Sequence, residues 1–78
     1  MTESALQAKL IKQYEREGWY VIKVIRANKN GIPDLLALKP DKVLFIEVKG
    51  EKGRLSKVQE YRIEELRSLG FSVEVARP

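Results

Sequence analysis

Apolar residues recur along this chain with two different periods, and the switches between them mark out its elements. Leu6, Leu10, Ile11 and Tyr14 fall on one face at helical spacing, which predicts a helix from Ser4 to Glu17. Ser4 with Gln7 three residues on makes a capping-box pattern, and Gly18 is a natural stop. Trp19 to Ile25 is rich in aromatic and β-branched residues and predicts a strand, followed by an Asn28-Lys29-Asn30-Gly31 loop. Leu35 to Leu38 and Val43 to Lys49 are two further strands. Between them lies Lys39-Pro40-Asp41-Lys42, where proline at the second position suits a type I turn. The strand beginning at Val43 is apolar on both faces until Glu47, the pattern of a strand interior to a sheet. Helical spacing returns from Ser56 to Leu69, opened by a Ser56–Gln59 box and closed by Gly70, and Phe71 to Ala76 is a last strand. On this second helix Val58, Ile63, Leu66 and Leu69 define the expected buried face, with Gln59 and Arg62 inside the same arc.

The element order is α-β-β-β-α-β. A strand, a helix and a further strand in succession form a parallel, right-handed unit, whereas a short turn forces antiparallel pairing. The expected architecture is therefore α/β, a four-stranded mixed sheet with a helix for each face. Seventy-eight residues make one domain, 1–78, with a core small enough that oligomerisation would help it.

The segment Gly31 to Gly50 reads as a β-hairpin carrying an unusual charge pattern. If its turn is centred between Pro40 and Asp41, Asp34 lies directly opposite Glu47, with Cβ atoms roughly 4.5–5.5 Å apart. Lys49, two residues on, points to the same face. Like charges placed together in a partly buried setting are unfavourable unless a cation joins them. Two carboxylates and the Val48 carbonyl suit a hard divalent ion, and a neighbouring lysine can orient or deprotonate a water. A slip of one residue in the register would put Asp34 and Glu47 on opposite faces and end this reading. Glu3 is a further candidate ligand if the first helix reaches back to it, since it then lies on the stripe of Leu6, Leu10 and Tyr14.

Composition narrows the chemistry. There is no cysteine and no histidine, which removes thiolate and imidazole catalysis and nearly all zinc-site types. Any hydrolysis must run on carboxylates, lysine and an oxygen-bound ion such as Mg²⁺ or Mn²⁺. The formal charge of +4 suits a polyanionic partner. Lys49, Lys52, Arg54, Lys57 and Arg62 follow the acidic motif closely, so the Gly50–Arg54 loop is expected to approach a phosphate backbone. No apolar run approaches the ~20 residues a membrane span needs, and the N-terminus has no signal-like apolar core, so a cytoplasmic location is expected.

Pro33-Asp34 and Glu47-Val48-Lys49 resemble the motif of the PD-(D/E)xK nucleases. The fuller string of Gly31-Ile32-Pro33-Asp34, Glu47-Val48-Lys49, Gly53-Arg54-Leu55-Ser56 and Gln59 is similar to the VRR-Nuc group of that superfamily, and Gly70-Phe71 with Val73 to Arg77 fits it too. The resemblance covers nearly the whole chain. It implies a restriction-endonuclease-like core and metal-dependent phosphodiester hydrolysis leaving a 5′-phosphate and a 3′-hydroxyl. Asp34, Glu47, Val48 and Glu3 are then the expected metal ligands. Lys49 is the catalytic lysine, Gln59 a supporting site residue, and Lys52, Arg54, Lys57 and Arg62 the expected DNA contacts. Stand-alone members of this kind are phage or bacterial homodimers that cut branched DNA such as Holliday junctions, so DNA, a second copy and Mg²⁺ or Mn²⁺ are the expected partners, with no small-molecule cofactor. Two rival readings are a nucleic-acid-binding module without catalysis and the nuclease subunit of a larger repair or restriction assembly.

Overall fold

The computed structural model describes residues 1–78, and its elements follow the expected order. They are α1 (Glu3–Arg16), β1 (Tyr20–Lys23), β2 (Leu35–Lys39), β3 (Lys42–Val48), α2 (Lys57–Ser68) and β4 (Ser72–Ala76). The four strands form one sheet in the order β1-β2-β3-β4, with the first two pairings antiparallel and β3–β4 parallel. β3 is interior, as its two-sided apolar pattern predicts.

The pleat sorts the apolar residues onto two faces. Leu35, Ala37, Leu44, Ile46 and Val48 point one way and bury against Leu6 of α1, with Leu10, Ile11, Tyr14 and Trp19 packed around them. Fully burying each such branched side chain contributes about 1.5–3 kcal/mol. The second face carries Leu36, Leu38, Val43 and Phe45. There α2 packs chiefly over β4, with Ile63 buried beneath it, and Phe45 meets Phe71 edge to face. Tyr20, Ile22 and Phe71 stay exposed.

Local details depart from the sequence expectations in four places. The N-cap of α1 is Thr2, whose hydroxyl accepts from the Ala5 N–H, so the Ser4–Gln7 box does not form and the helix starts at Glu3. Asp41 has φ 62, a left-handed conformation that a type I turn lacks at its third position, and Asp is one of the few residues that tolerates it. β1 ends at Lys23 rather than Ile25, because only Val24 finds a further partner beyond it. On α2 only Ile63 is buried, while Val58 and Leu69 are exposed; the half-buried Gln59, Arg62 and Leu66 share its face instead. The Ser56–Gln59 capping box is present as read.

Candidate active site

The β2–β3 register is Leu35 with Ile46 through to Lys39 with Lys42, which carried one step outward sets Asp34 opposite Glu47. The backbone fixes Asp34 from both sides. Its carbonyl accepts from Val24 N–H at 2.8 Å, closing the β1–β2 ladder, and its Oδ2 accepts from Val48 N–H at 2.9 Å. Glu47 is paired with Val75 on its other flank, and the β3–β4 ladder runs on to Lys49, whose N–H donates to Ala76. Strand pairing on both sides thus holds the carboxylates and the lysine at one end of the sheet.

Glu47 is 1% exposed. Its carboxyl is pushed up from 4.5 to about 8, first by burial and then by the charge of Asp34. Glu3 adds to this rise and Lys49 opposes it, with Nζ 3.8 Å from Glu47 Oε2. At neutral pH the Glu47 carboxyl therefore keeps its proton.

Gln59 reaches the pair from α2. Its Oε1 accepts from Ser56 N–H at 2.9 Å while its Nε2 donates to Glu47 Oε2 at 3.4 Å. The capping and site roles draw on opposite ends of one amide and do not compete. Lys49 and Gln59 both lie against Oε2, which leaves Glu47 Oε1 buried with no partner among the protein's groups. An orphaned buried carboxylate oxygen is costly unless something further binds it. With Asp34 opposite and the Val48 carbonyl adjacent in the chain, the donor set is all oxygen, and it fits Mg²⁺ or Mn²⁺.

Several expected site residues are placed differently. Glu3 does not join Asp34 and Glu47 in a three-carboxylate group; its Oε1 instead accepts from Gly50 N–H at 3.4 Å, at the edge of the loop after β3. Helix α1 packs on the other face of the sheet, so Glu3 reaches over the strand ends rather than into the pair. Arg62 is engaged within the protein: its Nε donates to the Asn30 carbonyl at 2.8 Å and its Nη1 to Glu65 at 3.1 Å. Lys52, Arg54 and Lys57 are exposed and form no ion pair. Sequence reasoning gave no role to Arg77, which clasps the basic loop by donating to the carbonyls of Gly50 and Gly53. A lone arginine one residue past the last strand offers little signal, although a cation after a parallel strand can reach the loop leaving its neighbour.

A model of the VRR-NUC domain matches residues 1–78. The chain belongs to the VRR-NUC domain family. That family is part of the PD-(D/E)xK-like nuclease superfamily, so the Asp34, Glu47 and Lys49 constellation sits in a nuclease domain. Among solved structures, one described as a VRR_NUC domain superposes with a TM-score of 0.83 at 29% identity, covering 96% of this chain and 84% of that one. Another, the Archaeoglobus fulgidus Hjc, a Holliday junction resolvase from an archaeal hyperthermophile, gives a TM-score of 0.73 at 24% identity. That match covers 97% of this chain and 63% of the archaeal one, and it shows a shared fold. No curated protein matches. No helix of this VRR-NUC domain is long and apolar enough to cross a membrane.

Proposed function

We propose that this chain is a divalent-metal-dependent DNA endonuclease that cuts branched substrates such as four-way junctions as a homodimer. The observation that carries the reading is Glu47, buried beside Asp34 with one oxygen unpartnered, in a domain of a nuclease family. Asp34, Glu47 and the Val48 carbonyl would hold Mg²⁺ or Mn²⁺. When bound, such an ion polarises the scissile phosphate and stabilises the charge that develops on it.

The chain's own groups supply the rest. Lys49, anchored beside Glu47, orients the attacking water and takes part in its deprotonation. Gln59 restrains Glu47 from α2, so that the pair keeps its spacing while its charge changes. Glu3 and Arg77 act at a remove, holding the Gly50–Gly53 loop through the Gly50 N–H and through the Gly50 and Gly53 carbonyls respectively. Lys52, Arg54 and Lys57 are unpaired cations around that loop and serve as phosphate contacts. Binding through them weakens with salt as counterions are released.

Preference for a four-way junction is suggested by the activity named for the Archaeoglobus relative, and a two-fold junction calls for two cutting sites. A second copy seated on the exposed Tyr20, Ile22 and Phe71 would supply both the second site and apolar burial that a small core lacks. The test is cleavage of labelled four-way junction, fork, flap, duplex and single-strand substrates with Mg²⁺, with Mn²⁺ and with EDTA. Cutting of the junction that depends on the ion, and is abolished in Asp34→Ala and Lys49→Ala while binding persists, is expected. No cutting with either ion would remove the enzymatic reading. Light scattering that finds only a monomer would remove the homodimer.

A further inference from the structure

The nine residues between Val24 and Asp34 form a long connection whose ends meet at the candidate active site, because Val24 N–H donates to the Asp34 carbonyl. Their inner surface, with Asp34, lines an open cleft of ≈ 340 Å³. Arg26 and Lys29 are among the lining residues, both exposed, and neither forms an ion pair. Asp34 is the only acid in the lining, and no acidic residue occurs in the chain between Glu17 and Asp34. The amide N–H groups of Ile25 through Lys29 donate no hydrogen bond within the protein.

The connection is nonetheless tied down at its far end. Gly31, at φ 80, runs so close to α2 that an added Cβ would come within 2.8 Å of the Val58 carbonyl oxygen. Arg62 adds its bond to the Asn30 carbonyl, so α2 holds the wall of the cleft in place. The result is a held, cation-rich concavity that opens onto a catalytic carboxylate. Unpaired cations and free amides select an anion.

We propose that this cleft binds a backbone phosphate of the nucleic-acid strand next to the one cut, with Arg26 and Lys29 as its cationic groups. It lies on the Asp34 side of the site, apart from the loop that carries Lys52 and Arg54. Phosphates recur along a strand at every nucleotide, ~3.4 Å of axis apart, so a strand whose scissile group lies at Asp34 carries further phosphates on either side for a cleft that Asp34 itself lines. This inference rests on the nuclease reading, and its test separates the two.

Binding of a fluorescent four-way junction and a matched duplex is measured with EDTA present over a salt series. The variants are Arg26→Gln/Lys29→Gln and, as a control of equal charge, Lys9→Gln/Lys12→Gln on exposed positions of α1. The cleft pair is expected to raise Kd by about tenfold or more at low salt and to lower the salt slope by about 2. The α1 pair is expected to change Kd by less than about twofold. The charge-retaining Arg26→Lys/Lys29→Arg should restore most of the affinity. If the wild type binds and the cleft pair binds equally well, or no worse than the α1 pair, the phosphate site is overturned while the nuclease reading stands. If the wild type binds neither substrate, both fall.

Discussion

The charge state of Glu47 makes a prediction about the metal-free protein that can be worked through in advance. Its carboxyl is raised from 4.5 to about 8 in the fold, so the folded state holds a proton that the unfolded chain releases. Below pH 4.5 both states are protonated and the group adds no pH dependence. Through the window up to about 8, stability falls as pH rises, by about 1.4 kcal/mol per unit. Over the whole window this amounts to a ceiling of about 5 kcal/mol, comparable with the total stability of a small domain at about 5–15 kcal/mol. Urea unfolding in EDTA between pH 5 and pH 9 should therefore show the wild type losing stability, whereas Glu47→Gln, which stays neutral, should lose much less. The difference between the two should widen with pH and level off above about 8. A bound Mg²⁺ requires the ionised form, so calorimetry in buffers of different ionisation enthalpy should find about one proton released per ion near pH 7. Parallel stability curves for wild type and Glu47→Gln would show that Glu47 is ionised in the metal-free fold, and the account of burial beside Asp34 would fail.

The double use of Gln59 predicts a split between two neighbouring variants. Ser56→Ala should lose only the cap, lowering stability by about 1 kcal/mol with cleavage retained, whereas Gln59→Ala should lower stability by about 1–2 kcal/mol and reduce kcat as well. Equal kcat in both variants would count against a site role for Gln59. Gly31→Ala puts a Cβ against the Val58 carbonyl in a left-handed backbone, and should lower the urea midpoint by an amount equivalent to about 1–3 kcal/mol or more. An unchanged midpoint would mean that the connection does not press on α2. Arg77→Gln removes the clasp on Gly50 and Gly53, so hydrogen exchange at residues 50–54 should quicken while exchange in β2 and β3 does not. Uniform quickening would assign Arg77 to global stability instead.

The parts of this molecule legible from sequence are those that local rules determine. A two-residue turn at Pro40-Asp41 between two apolar runs sets the register, which buries Leu35, Ala37, Leu44 and Ile46 together and sets Asp34 against Glu47. The Ser56–Gln59 box is equally local. At α1 the capping-box pattern points to Ser4, while the structure caps with Thr2 and gains another residue of helix, Glu3. Where a long side chain goes after it leaves its element is not a local matter. Arg62 looks like a phosphate contact by composition, yet it turns to Asn30, more than thirty positions earlier in the chain, because Gly31 brings that carbonyl within reach. Glu3 looks like a ligand by its place on the α1 stripe, but α1 lies on the opposite face and delivers it to Gly50. The cleft at Arg26 and Lys29 was hidden for the same reason, since nothing in a run of exposed polar residues reveals that it folds back upon Asp34.

Gln59 also divides the chain into parts that can and cannot change length. An α-helix turns by about 100° per residue, since 3.6 residues complete a turn, so one residue inserted between Ser56 and Gln59 would swing the amide away from Glu47 while breaking the cap. The start of α2 is thereby locked to the chemistry, and frameshifts of its register are forbidden. The stretch just before it is not: Glu51 and Lys52 bulge outward between the two carbonyls that Arg77 holds, with both side chains exposed. Insertions there would lengthen the basic loop without moving a carboxylate. Diversification among relatives should therefore concentrate at that bulge, where the reach of the domain over its substrate can drift independently of its power to cut.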